Sequence, residues 1–365
     1  MMIVGSLLLT AILTFIGLDG TFLTKKYDSV WSDKYIGELK NEQYKMIAYG
    51  IRAASSHNTQ PWRVKLISTD TIELYADMDK ALNVVDGDYK QLMMSQGTFI
   101  ESYKQGALKY GYGVEVTYSV PNFDETMPLI ATIKVHKEAN MDTVDAISSA
   151  TYDAEYSEGD YDLRKTLDEV FAEHPGFNYT MIESNADVEK LEGVLLEGTI
   201  IESKDEAATK ELLDVFRWTE WEKNEYRYGL SLNTMPGILK PFIQPIMKSS
   251  SNDWEAFGDS SITQFKDRLN KQTKYILIKS DNPGNLEYLY SGQIYQRLIF
   301  EVSDYDLRPA MQALENFEAM KSLNLQFQQE YGNDGEVVWI IGLQEKTGKK
   351  ANSNPRHFIE DIIIQ

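Results

Sequence analysis

The side chains best suited to chemistry crowd into one stretch, Arg52-Ala-Ala-Ser-Ser-His-Asn-Thr-Gln-Pro-Trp62-Arg63. Hydroxyls, amides, an imidazole and an indole follow one another there, next to small residues. Asn58 and Gln60 each carry donors and an acceptor on one planar group, which matches the alternating donors and acceptors along the edge of a heteroaromatic ring. Pro61 stiffens the exit into a strand. The same residues also suit a capping loop that ends a helix and buries Trp62. Other catalytic patterns are missing. No Gly-x-Gly-x-x-Gly follows a strand, no Gly-x-x-x-x-Gly-Lys occurs, and His57, His136, His174 and His357 are scattered without metal-ligand spacing, so no metal ligands are assigned. Carboxylates are too numerous for one acid–base pair to stand out.

The elements that must position this stretch can be read around it. An amphipathic pattern over Glu38–Ala54 predicts a helix leading into the loop, and Arg63–Ser68 and Thr71–Tyr75 alternate about Thr69-Asp70 as a hairpin. Asp86-Gly87-Asp88 offers an N-cap for a long apolar helix to about Tyr110, and strands follow at Val114–Val120 and Leu129–His136. The acidic stretch Asn140–Glu173 reads as a hinge. Beyond it, helices are expected at Asp162–Ala172, Asp187–Ser203, Asp205–Trp221, Leu286–Tyr305 and Ala310–Phe327, with strands at Lys274–Ser280 and Val337–Leu343. Gly229–Asp259, rich in Pro, Gly, Ser and Met, reads as an irregular cover. Gly97–Val116 aligns without gaps on Gly292–Met311: a small residue, a buried helix, then an aromatic-rich turn. That repeat suggests a duplicated half. Ser231–Gly237 echoes Ser56–Trp62 more faintly.

Composition sets the bounds. The chain has 365 residues, 42% hydrophobic and 25% charged, which is ordinary globular composition on the scale of two domains. A formal charge of −20 disfavours nucleic acid and anionic lipid as general partners. The absence of cysteine removes disulfides, thiolate nucleophiles and Cys-based metal sites. Met2–Leu18 carries no charge and is followed by Asp19-Gly20, so residues 1–20 read as a single membrane anchor or uncleaved signal, with 21–37 as a tether. On this reading the protein is membrane-anchored, on a side that Lys25 and Lys26 only weakly indicate.

SSHNTQPW (Ser55–Trp62) closely resembles the Pro-Ser-x-x-Asn-x-Gln-Pro-Trp loop of the nitroreductase superfamily of FMN-binding proteins. Its His-Asn-Thr form is similar to the Acg-like branch, in which two nitroreductase-like domains are fused in tandem. Asp86–Gly97, Gly292–Arg297, Ile340–Gly342 and Pro355-Arg356-His357 extend the resemblance over about residues 40–365. It implies an α+β fold of two pseudo-twofold-related halves, 38–145 and 146–365, with central antiparallel sheets flanked by helices and a possible lid at 229–259. It also implies one FMN between the halves and a monomer that acts as a fused pseudo-dimer. Ser55, Ser56, His57, Asn58 and Gln60 would face the flavin, and Arg356 would meet its phosphate, with Lys349 and Lys350 less clearly matched. The implied activity is an FMN-dependent oxidoreductase that passes hydride from NAD(P)H to a nitroaromatic or quinone-like acceptor. The alternatives are an FMN-sequestering protein without turnover and a flavin-free structural domain. The branch's Arg-x-Thr-x-Arg-like segment falls at Ile147–Tyr156, where the arginines are gone, so FMN would bind weakly unless Arg164 compensates.

Overall fold

The computed structural model describes residues 2–137, 162–231, 239–249, 253–302, 304–346 and 354–365, without the side chains at 2–9 and 11. The chain begins with α1 (Met2–Asp19), α2 (Asp33–Glu38) and α3 (Glu42–Ile51). Next come the hairpin β1 (Trp62–Leu66) and β2 (Thr71–Ala76), the long helix α4 (Lys90–Lys109), and strands β3 (Tyr112–Tyr118) and β4 (Leu129–Lys137). The second part starts with α5 (Leu163–Ala172) and β5 (Phe177–Ile182). Five helices then intervene: α6 (Asn185–Lys204), α7 (Glu206–Asp214), α8 (Glu220–Tyr226), α9 (Lys240–Ser249) and α10 (Trp254–Leu269). After them come β6 (Lys274–Ser280), α11 (Asn285–Glu301), β7 (Tyr305–Pro309), α12 (Lys321–Tyr331) and β8 (Glu336–Glu345), and finally α13 (Ile359–Ile362) and β9 (Ile363–Ile364). The fold is α+β, as the sequence indicates.

Two sheets follow one plan. The first has the order β3-β4-β2-β1-β9 and the second β5-β6-β8-β7. With β9 set aside, β7, β8, β6 and β5 take the places of β3, β4, β2 and β1, and every one of these pairs is antiparallel. Even the register shifts correspond, between Leu74 and Tyr75 of β2 and between Ile278 and Lys279 of β6. β9 breaks the parity: the tail of the second part returns to pair in parallel with β1, through Val64 with Ile363 and Lys65 with Ile364. The proposed boundary at 145/146 lies outside the described residues.

Helices α4 and α11 cross at the centre. A Cβ on Gly97 would lie 1.9 Å from the Leu289 carbonyl oxygen, and one on Gly292 would lie 2.0 Å from that of Met94. Met94 stands three positions before Gly97, as Leu289 stands three before Gly292. The contact is therefore reciprocal, and only glycine lets the backbones approach so closely. One hydrophobic core joins the two parts through Trp62, Phe99, Ile276, Leu289 and Ile341. A second core lies on the far face of the second sheet, where Tyr275 and Leu277 pack with Leu195, Phe265 and Phe327. β6 is thus covered on both faces, which explains its unbroken apolar run.

The membrane-anchor reading is overturned. No helix among the described residues is long and apolar enough to cross a membrane. The membrane and transmembrane assignments, the membrane as partner and the membrane-anchored localisation are withdrawn with it. One side of the later part of α1 rests on the body, while Leu13 and Leu18 stay exposed. Phe15 meets Phe242 of α9 at 6.1 Å between ring centroids, the Gly17 carbonyl accepts from Trp221 Nε1 at 2.9 Å, and Asp19 is buried. The tether is packed too: Tyr27 is buried and donates its hydroxyl to Glu220 at 2.6 Å.

Other departures have local causes. The helix expected over 38–54 breaks at residues 39–41, where Asn41 Oδ1 accepts from the Gln43 amide and starts α3 afresh. The 205–221 helix divides into α7 and α8, because Thr219 and Glu222 form a capping box that begins a new helix. The irregular cover at 229–259 instead contains α9 and the start of α10. β5 and β7 were not anticipated.

Candidate functional site

α3 and β1 hold the Ser55–Pro61 loop in place. Three of its residues have left-handed backbones, His57 (φ 47), Asn58 (φ 55) and Gln60 (φ 53). Such conformations cost about 1–2 kcal/mol each for residues with a Cβ, least for Asn. Side chains fix them. Gln60, fully buried, donates through Nε2 to the carbonyls of Arg227 (3.0 Å) and Pro355 (3.2 Å), and its Oε1 accepts from the His357 amide at 2.9 Å. Asn58 Nδ2 donates to the carbonyls of Gly229 and Pro355, both at 3.0 Å. Its Oδ1 accepts from Arg356 Nη1, and Arg356 Nη2 donates to the Ala53 carbonyl at 3.1 Å. Trp62 is a core residue against Phe99, so the capping-loop reading holds for that side chain.

The structure thus brings Ser55, Ser56, His57, Asn58, Gln60 and Arg356 together, but in two roles. Asn58, Gln60 and Arg356 are buried and bind the loop to the tail and to residues 227–229. Ser55, Ser56 and His57 are half-buried and line a cavity of about 370 Å³, which Asn58 and Arg356 also border and Gln60 does not. Its far wall comes from the second part: Tyr295 stacked on Trp339 at 4.3 Å, together with Arg308, Gln312 and Glu315. Ser56 Oγ donates to Gln91 Oε1 at 2.7 Å, so the 3.0 Å contact with His57 Nδ1 makes that nitrogen the donor and leaves Nε2 as an acceptor. Burial pushes His57 down to about 4, so the ring is neutral at pH 7.

This cavity meets a larger one of about 800 Å³ at His57, Leu230, Arg268, Arg308 and Gln312. Met247, Asp253 and Phe257, from the region proposed as a lid, line the larger lobe; residues 232–238, which hold most of the echo of the loop, and 250–252 lie outside the described residues. So do Lys349, Lys350 and Ile147–Tyr156. Arg164 pairs with Glu183 at the surface and borders neither cavity. Sequence reasoning missed Arg268, Glu202 and Glu315. Burial pushes Glu202 up to about 7 and raises Glu315 well above its ordinary value. Lone charges on amphipathic helices and turns carry no spacing signal that could have revealed them.

No family model and no curated protein matches the chain. Among solved structures, one provisionally described as a nitroreductase from Anabaena variabilis ATCC 29413 is similar. The likeness covers 75% of this chain and 69% of that one at 12% identity, with a TM-score of 0.32. A likeness of that size assigns no role to any residue.

Proposed function

We propose that the protein is a flavin-dependent oxidoreductase of nitroreductase type, built from two fused, pseudo-twofold-related halves that share one FMN. One observation carries this reading: the loop's hydroxyls and imidazole face a cavity whose opposite wall belongs to the other half. The residues fit the group. A cavity of about 370 Å³ lies within the ~300–1,000 Å³ range of cofactor pockets. Its wall includes the buried atoms Gln312 Oε1 and Glu315 Oε2, which have no hydrogen-bond partner among the described residues.

Bound FMN would supply hydride transfer between NAD(P)H and a nitroaromatic or quinone-like acceptor. The chain's own part is positioning. Ser55, Ser56 and the acceptor Nε2 of His57 would orient the ring edge, and of the three arginines bordering the lobe, Arg268, Arg308 and Arg356, the last two would favour the phosphate. Asn58 and Gln60 hold the loop rather than the ligand. Titration of the purified chain with FMN, followed by anaerobic NADH or NADPH, tests the proposal. Saturable binding and bleaching of the bound flavin's absorbance are expected. Binding without bleaching would favour sequestration, and no binding would refute the flavin reading.

A further inference from the structure

The larger lobe has a chemistry of its own. The inserted helices wall it on one side, and Arg308 of β7 and Gln312 on the other. Its apolar side is an aromatic cluster. Phe216 and Trp218 lie 4.3 Å apart, and Phe257 meets them nearly edge-on at 5.7 and 6.1 Å. Rings in this arrangement receive another flat ring well. α10, which carries Phe257 and Arg268, lies tight against α6, because a Cβ on Gly258 would come within 2.2 Å of the Ser203 carbonyl oxygen.

Arg268 borders both lobes. Its Nε and Nη2 are buried and have no hydrogen-bond partner among the described residues. A guanidinium stays charged, so unmet buried donors are costly, and these two sit on the side of the fork that takes both oxygens of a carboxylate. Glu202, the buried acid beside it, is hydrogen-bonded to Gln312 and makes no ion pair with Arg268 among the described residues; its raised proton affinity keeps it largely neutral below pH 7. Arg308 is already paired with Asp306 at 2.9 Å, and Asp253, Asp267 and Lys271, which also line the lobe, are exposed. The Arg268 guanidinium lies over the Phe265 ring at 4.6 Å and offers one free edge, Nε with Nη2, which suits a monoanion better than a dianion.

We propose that this lobe binds a planar aromatic carboxylate, with its ring among Phe216, Trp218 and Phe257 and its carboxylate on Nε and Nη2 of Arg268. Such an acid would lie beside the smaller lobe. Its role as electron acceptor rests on the flavin reading, whereas its binding does not.

Calorimetric titration of the full chain with 2-naphthoate and with the neutral 2-naphthamide, no flavin added, tests the binding. The wild type should take the acid at least about tenfold more tightly than the amide. Arg268→Gln should weaken the acid about ten- to a hundredfold and leave the amide nearly unchanged, whereas Phe257→Leu should weaken both alike. Should the glutamine variant not fold, Arg268→Lys keeps the charge but loses the fork, and should still cost the acid about tenfold. Equal wild-type affinity for acid and amide, equal losses for both on replacing Arg268, or no binding of either probe at millimolar concentration would overturn the proposal. Because flavin is absent throughout, failure here and failure of the flavin reading are separate results.

Discussion

β1 turns into β2 through residues 67–70, whereas β5 reaches β6 only after residues 183–273. Apart from β9, the two sheets otherwise share strand order, pairing sense and register shift. The same plan therefore holds two different connections, and each connection has a task. In the first half the tight hairpin leaves β2 alternating, with one face on the core. The polar variation is placed before β1, in the Ser55–Pro61 loop. In the second part the segment before β5 shrinks to Glu173-His-Pro-Gly176, and the long connection folds back as helices that cover the outer face of β6. One part presents the loop and the other forms the far wall of the cavity, with Arg268 and Arg308 in it. A cavity built by both halves follows from that division.

The largest expected effect tests the shared plan itself. Gly97→Val and Gly292→Val each force a side chain into the opposing carbonyl and should cost on the order of 3 kcal/mol or more of stability in urea denaturation. The two losses should agree within about 1 kcal/mol; a large loss at one position alone would break the reciprocity.

The next prediction sharpens the contrast between the two segments that precede β1 and β5. Gln60→Ala leaves the His357 amide and the Arg227 carbonyl without their partner, while Asn58 still donates to the Pro355 carbonyl, so a loss of about 2–3 kcal/mol is expected, with faster hydrogen exchange over 354–365. His174→Ala, in the corresponding turn of the second half, should stay within about 0.5 kcal/mol.

Burial gives the roof a pH signature. Glu202 binds its proton more tightly when folded, up to about 7, than an unfolded glutamate near 4.3, so its contribution is present at low pH and is lost as pH rises between those values. Unfolding measured from pH 4 to 8 should show this decline, and Glu202→Gln should shallow it without abolishing it, because Glu315 shifts the same way.

The smallest effect concerns the strap from insertion to tail. Arg227 holds Asp361 through two bonds, Nε at 2.8 Å and Nη2 at 2.7 Å. Although burial opposes it, His357 and Arg227 hold this carboxyl well below the usual range, so its stabilisation is present above about pH 4 and fades as pH falls. Arg227→Ala should cost about 1 kcal/mol at pH 7 and less in acid, as read from urea curves at the two pH values.

Much of this was legible from residue order. The hairpin announced itself by alternation, α4 by its apolar length and by Asp86, whose carboxylate accepts from the Gln91 and Leu92 amides. The gapless repeat anticipated the crossing at Gly97 and Gly292. The loop stood out because polar groups were dense beside small ones. What sequence could not show was where those groups would turn. Positive φ at His57, Asn58 and Gln60 sends the amides inward to the tail and leaves the hydroxyls and imidazole at the cavity, and local propensity does not predict such backbones. α1 misled because a helix without charge before Asp19 suits either lipid or a protein surface, and only its contacts with α9 and Trp221 distinguish them.

The claim that the two halves share one flavin is tested most directly by counting it. Calorimetric titration of the full chain with FMN should give one site per chain. Ser56→Trp, which fills the cavity on the loop side, and Trp339→Ala, which opens it on the other half, should each weaken that site by tenfold or more. No FMN binding, or binding that neither substitution disturbs, would contradict the shared site.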